Sequence, residues 1–236
     1  MVFLGIDTST KFLCAVLARQ GKVIAVCRKE REKAHAQLLP DEIGRLLKRA
    51  RIRINDIRFL GVDIGPGSFT GIRIGIALVK GLGLALGVKI AGVPSLDILA
   101  WGLKNKTSGL ICPVIDAKRG QVYAALYENR SGNPVRITGY YLGKLGGFLK
   151  KIARYKKDIV FTGDGAGLYE QDLKRLITRK FTLAKADFWF PNAQALAQAC
   201  LNRCQAGKAE RADFVSALYL YPDTCTVQSK KKRVKA

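Results

Sequence analysis

The run Gly65-Pro66-Gly67-Ser68-Phe69-Thr70-Gly71-Ile72-Arg73-Ile74-Gly75 joins an apolar, strand-like segment (59–64) to a long apolar stretch that begins at Ile72. Four glycines and one proline in eleven positions specify an unusual backbone path. Strand, glycine-rich turn and helix in that order presents backbone N–H groups at a helix N-terminus, the geometry that receives anions. The other reading is a tight strand-to-helix connection that binds nothing. No Gly-Lys-Ser/Thr closes the run, so it is not a Walker A loop, and it fits the order G-x-G-x-x-G only loosely.

Apolar alternation and turn residues place this loop in a larger order. Strands are predicted at 2–6, 12–18 and 22–28, with turns at 8–11 and 20–21. A helix over 36–49 follows, with Pro40, Asp41 and Glu42 suited to its first turn. Then come a strand (58–64), the loop, a helix (71–86), a strand (88–93) and a helix near 95–103. The second half repeats the order less regularly. Strand 111–116 ends in Asp116 as the first strand ends in Asp7. Segments 122–127 and 135–141 flank a turn at 131–133. A helix at 143–153, a strand at 158–162, the turn Gly163-Asp164-Gly165, a helix at 167–177 and a last helix at 192–206 complete it. Three strands in a meander followed by alternating helix and strand imply a mixed sheet with helices packed on it, here made twice. The division predicted is a lobe over 1–105, a second over 106–225, and a basic tail over 226–236.

The helix after the loop carries Ile72, Ile74, Ile76, Leu78, Val79, Leu82, Leu84 and Leu86 around its whole circumference, with Arg73 and Lys80 its charged residues. A helix apolar all round is covered all round. One face packs on its own sheet; the other needs a neighbouring helix of the same fold or another chain. The preceding helix, with Leu38, Leu39, Ile43, Leu46 and Leu47, supplies part of that cover or extends the same surface.

The net charge of +23, from 41 basic and 18 acidic side chains, favours polyanionic partners, nucleic acid first. The charge gathers at Arg45, Lys48, Arg49, Arg51, Arg53 and Arg58, at Lys144, Lys150, Lys151, Arg154, Lys156 and Lys157, and in the tail, which reads as a disordered, self-repelling arm. Six cysteines without a CxxC pair read as packed thiols. The N-terminus reaches Asp7 too early for a secretory signal, and 72–88 is interrupted by Arg73 and Lys80, so a cytoplasmic protein without a membrane span is expected.

Four segments stand together in an order that resembles one family: Leu4-Gly5-Ile6-Asp7-Thr8-Ser9-Thr10, His35-Ala36-Gln37-Leu38-Leu39-Pro40, the glycine run, and Asp116-Ala117-Lys118-Arg119-Gly120-Gln121-Val122-Tyr123. Together they are similar to the bacterial TsaB (YeaZ) family, over residues 1 to about 127, and less so beyond, through Gly163-Asp164-Gly165 and Leu218-Tyr219-Leu220. Tyr221 stands where relatives carry an arginine. The resemblance implies an α/β fold of the actin/hsp70/sugar-kinase (ASKHA) type with two ribonuclease-H-like lobes. It implies a non-catalytic role in making N6-threonylcarbamoyladenosine at position 37 of tRNAs that read codons beginning with A. The chain would bind and activate its catalytic paralogue TsaD, together with TsaE, and would form homodimers through the same surface.

That surface would lie on the helices after the third and fourth strands, at His35, Leu39, Ile43, Leu46, Ile72, Ile76 and Val79, beside the loop residues Gly65, Gly67, Ser68, Thr70 and Gly71. TsaD-like proteins hold a metal with two histidines one helical turn apart. Here His35 is the single histidine and Leu39 stands four residues on, so no metal site and no peptidase chemistry is expected. ATP-using relatives cradle phosphates in two strand-end turns. Their counterparts, a vestigial nucleotide site, would be Asp7, Asp116, Lys118 and Gly163. Both turns lack glycine at the tight positions, and the expectation is that ATP is used by the complex rather than by this chain. The alternative is an ATP-utilising enzyme of the same fold.

Overall fold

The computed structural model describes residues 1–30 and 35–220, apart from the side chains of residues 35–37. The basic tail, Tyr221, Cys225 and the side chain of His35 therefore lie outside the described residues.

The first lobe runs β1 (Val2–Asp7), β2 (Phe12–Arg19), β3 (Lys22–Glu30), α1 (His35–Ala50), β4 (Ile57–Asp63), α2 (Phe69–Leu86), β5 (Ile90–Val93) and α3 (Ser95–Gly102). Its sheet has the order β3-β2-β1-β4-β5. The meander is antiparallel, while β4 and β5 join it parallel to β1, each through a helical crossover. Pro40 is the sixth residue of α1 rather than part of its first turn.

The second lobe runs β6 (Leu110–Lys118), β7 (Gln121–Ala124), β8 (Tyr127–Arg130), β9 (Asn133–Arg136), β10 (Tyr141–Gly143), α4 (Leu145–Ile152), β11 (Ile159–Thr162), α5 (Asp164–Leu168), α6 (Glu170–Leu176), β12 (Phe181–Leu183) and α7 (Ala193–Gln205). Its main path, β10-β7-β6-β11-β12, repeats the first sheet strand for strand. The β8–β9 hairpin is inserted after the second strand of this repeat. That insertion splits both 122–127 and 135–141, each predicted as one strand. The predicted helix 167–177 begins at Asp164 and breaks at Tyr169, and β12 lies where the sequence pattern predicts no strand.

β1 and β2 are buried along nearly their whole length because both faces of the first sheet are covered. Leu4, Ile6, Leu13, Ala15 and Leu17 face α1 and α2. Phe3, Cys14 and Val16 face α7, which returns from the second half of the chain. Gly61 of β4 admits that helix: a Cβ there would stand 2.3 Å from the Cys200 sulfur. In exchange, α3 of the first half lays Leu96, Leu99, Ala100 and Leu103 on the second sheet, against Ile111, Ile115, Tyr123 and Tyr127. The helices after the two fifth strands thus cross between the lobes and pack on each other.

Candidate functional site

The glycine loop leaves β4 at Asp63 and folds back on the β1–β2 turn. Gly65 has φ +97°, the left-handed region that glycine occupies without strain. Ser68 N–H donates to the Ser9 carbonyl at 2.7 Å, and the Ser68 hydroxyl caps α2 by accepting from Gly71 N–H at 3.3 Å. The Thr8 hydroxyl donates to the Gly71 carbonyl at 2.7 Å. The two backbones are so close that a Cβ at Gly67 would lie 2.4 Å from the Ser9 oxygen, and one at Gly71 1.9 Å from the Thr8 oxygen. Glycine is required there by contact.

Beneath the loop sits a buried polar cluster that the sequence did not single out as a unit. Asp63 is 1 % exposed, and its Oδ1 accepts from Gly65 N–H at 2.7 Å and from the Ser95 hydroxyl at 2.6 Å. Burial, then the neighbouring charge of Asp7, pushes the Asp63 carboxyl well above the ordinary aspartate value, against hydrogen bonds from Ser95, Gly65 and Ser9. Asp7, also buried, accepts from Ser9 N–H at 2.7 Å. The cluster fixes both strand ends and the start of α3.

The second expected phosphate turn lies at the end of β6. Asp116 Oδ1 accepts from Lys118 N–H at 2.8 Å, and its other oxygen pairs with the exposed Lys118 ammonium at 2.7 Å. The amides of Asp116 and Gly165 both donate to Asp164 Oδ1. Gly163, at φ +100°, packs where a Cβ would stand 2.1 Å from the Val114 oxygen. In each turn a backbone donor is taken by an aspartate of the chain itself: Ser9 N–H by Asp7, Lys118 N–H by Asp116. Among the described residues, no three His, Cys, Asp or Glu side chains come together as a metal site.

The residues expected to form a partner surface face inward. Leu39, Ile43, Leu46, Ile72, Ile76 and Val79 all lie within the first lobe's own core, none more than 8 % exposed. Their role is to hold α1 and α2 on the sheet, and they are not available for docking. The residues that α2 turns outward are Phe69, Ala77, Gly81, Leu84 and Ala85, with Ile74, Leu78 and Leu82 half-buried at the margins. Leu84 is 65 % exposed and Phe69 56 %. Thr70 and Arg73 belong to this outer side as well. Arg73 stacks on Phe69 at 3.7 Å and donates to the Tyr219 hydroxyl at 3.0 Å. The 217–220 segment is tied to the loop by Leu218 N–H donating to the Ile64 carbonyl at 2.8 Å. By length and composition α2 qualifies as a membrane span, contrary to the expectation above, yet its inner side is core.

Close contacts separate the two sides of α2. Gly71, Gly75, Val79 and Gly83 recur every fourth residue and form the inner stripe. A Cβ at Gly75 would lie 2.5 Å from the Thr8 hydroxyl and one at Gly83 2.9 Å from Ile90, whereas Gly81 faces open space.

This loop, helix and repeated pair of sheets can be compared with known proteins. The family described as "TsaD: tRNA N6-adenosine threonylcarbamoyltransferase" matches residues 25–227. The chain is 32% identical to the tRNA threonylcarbamoyladenosine biosynthesis protein TsaB of Bacillus subtilis over 197 residues, covering 84% of this chain and 86% of that one. The chain belongs to the TsaB family. YeaZ from Pseudomonas aeruginosa superposes with a TM-score of 0.79 at 25% identity, over 93% of this chain and 99% of that chain. The activator of 2-hydroxyisocaproyl-CoA dehydratase from Clostridium difficile, solved with bound ADPNP, superposes at 0.52 with 10% identity, over 93% of this chain and 100% of that chain. The fold is that of the actin/hsp70/sugar-kinase group.

Proposed function

We propose that this chain is a non-catalytic subunit in the synthesis of N6-threonylcarbamoyladenosine at position 37 of tRNAs reading codons that begin with A. The biosynthetic name of its TsaB relatives supports the pathway. The outer side of α2 carries the subunit reading. Ala77, Gly81, Leu84 and Ala85, with Phe69 beneath the Arg73 guanidinium, form an apolar surface that the described residues leave exposed, and apolar patches of this kind mark protein contacts. The partner is a TsaD-like catalytic paralogue, which the docked helix orders, with a TsaE-like ATPase joining the assembly. A homodimer would use the same surface and so would compete with the paralogue.

ATP belongs to the assembly rather than to this chain, because donors in both strand-end turns are satisfied internally by Asp7, Asp116 and Asp164. tRNA is the substrate of the complex, which places its work in the cytoplasm. The test is co-purification of the full chain with a TsaD-like subunit. The wild type is expected to form a stoichiometric complex, and Leu84→Glu to lose it while keeping the wild-type melting temperature. Equal complex formation by both overturns the docking role of α2.

A further inference from the structure

We propose a second interaction surface, on the opposite lobe: the exposed side of α4 and its exit binds the phosphate backbone of structured RNA. It rests on the reading above only in naming tRNA as the RNA. Residues 144–157 contain no aspartate or glutamate. Leu145, Phe148, Leu149 and Ile152 of α4 are buried in the second core, so its outward side consists of glycine, alanine and cations. Lys144, Lys150, Lys151, Arg154 and Lys156 are all exposed, and none of them is ion-paired within 4.0 Å among the described residues.

The surface is assembled from distant parts of the chain. Arg179, just before β12, donates its guanidinium to the carbonyls of Tyr155 and Lys157, the latter at 3.3 Å. That clamp brings exposed Lys180 up to the α4 exit. Two tyrosines steady the cations: Lys151 lies 5.0 Å over the Tyr141 ring and Arg154 5.0 Å over Tyr155, with Arg154 also donating to the Tyr155 hydroxyl at 3.0 Å. The basic group of the first lobe is interspersed with acids, unlike residues 144–157. Arg45 pairs with Glu42 and Arg53 with Asp56, Arg58 also acts on Asp56, and Lys48 and Arg49 close the last turn of α1, leaving exposed Lys48, Arg49, Arg51 and Arg58 without an ion pair among the described residues. Unpaired cations gathered over one face without an intervening acid are the electrostatic footprint of phosphate binding. An anionic membrane is disfavoured, because α4 has turned its apolar side into its own core and has none to insert.

The experiment measures binding of a labelled tRNA that reads an A-first codon to the full-length chain across a salt series. It compares wild type, Lys150→Glu/Lys151→Glu/Arg154→Glu, the neutral Lys150→Gln/Lys151→Gln/Arg154→Gln, and a first-lobe control, Lys48→Glu/Arg51→Glu/Arg58→Glu. Any phosphate contacts of residues 226–236 are common to all four. The α4 variants are expected to bind about tenfold or more weakly, and the slope of log affinity against log salt to flatten by about 2 to 3 as three phosphate contacts are lost. The control is expected to stay within about twofold of wild type. Unchanged affinity for tRNA in the α4 variants, an equal loss in the control, or, in a parallel titration of phosphatidylserine vesicles, a loss seen there and not with tRNA overturns the proposal. The α4 variants should still co-purify with the TsaD-like subunit, so failure here is distinguishable from failure of the docking role.

Discussion

Two leucines of the first lobe separate docking from folding. Leu84 on α2 is 65 % exposed, whereas Leu46 on α1 is 1 % exposed and packed in the core under both helices. Full burial of a leucine side chain is worth roughly 1.5–3 kcal/mol, so the exposed share of Leu84 leaves about 1–2 kcal/mol to be gained on docking. Leu84→Ala should therefore weaken the complex with a TsaD-like subunit by about 5- to 30-fold. Leu84→Glu adds the several kcal/mol of a carboxylate stripped of water, enough to abolish the complex. Neither change should move the monomer's stability by more than about 0.5 kcal/mol, or about 2 °C in Tm. Leu46→Ala removes core packing worth about 2–5 kcal/mol and should lower Tm by roughly 4–20 °C. Calorimetric melting of each variant alone, beside titration into the partner, reads both quantities. If Leu84→Glu melts as low as Leu46→Ala, or binds the partner as wild type does, the assignment of inner and outer sides is wrong.

Gly71→Ala should lower Tm, because the added methyl meets the Thr8 carbonyl and overpacking of this kind costs about 1–3 kcal/mol; Gly81→Ala, facing open space, should raise it slightly. A melt of the pair that showed equal shifts would contradict the close approach of loop and turn. Asp63 is held above its unfolded pKa, so its contribution is fully present below the ordinary aspartate value and is lost as pH rises through the folded value. Asp63→Asn, which keeps an acceptor for Gly65 and Ser95, should flatten that decline across a Tm–pH series; an unchanged slope would count against it. Among the described cysteines, half-buried Cys204 should react with a thiol reagent before Cys14, Cys112 and Cys200, whose thiols are buried and pushed up in pKa by desolvation; mass spectrometry of the partially labelled native protein reports the order.

Much of this architecture was legible in the sequence. The first lobe's strands are continuous apolar runs bounded by turn residues, and the ends of β1, β2, β4 and α2 fall within two residues of the periodicity reading. The order of the second lobe was readable too, but not its short edge strands. Phe181–Leu183 has three residues, too few to show alternation, and the β8–β9 hairpin interrupts a run that reads as two plain strands. Periodicity also carries no information on which sheet a helix covers. That α7 lies on the first sheet, with Cys200 against Gly61, depends on a contact between residues 139 positions apart. The burial of Ile72, Ile76 and Val79 escapes the sequence for a related reason. On a helix apolar all round, hydrophobicity does not distinguish the core side, and small residues recur every fourth position on both sides, at Gly71, Gly75 and Gly83 inside and at Ala77, Gly81 and Ala85 outside. Only the tertiary contacts separate them: Cβ atoms at Gly71, Gly75 and Gly83 would meet Thr8 and Ile90, whereas Gly81 faces open space.

On the function proposed above, this chain positions a catalytic paralogue through α2 and performs no chemistry of its own. The decisive measurement is the initial rate of threonylcarbamoyladenosine formation on tRNA in a mixture of purified TsaD-like and TsaE-like subunits, threonylcarbamoyl donor and ATP. Wild-type chain should restore a rate that is near background without it. Leu84→Glu should fail to do so, and Asp7→Asn with Asp116→Asn should restore it in full once folding is confirmed. Product forming equally fast when the chain is omitted, or a fully active Leu84→Glu, would contradict it.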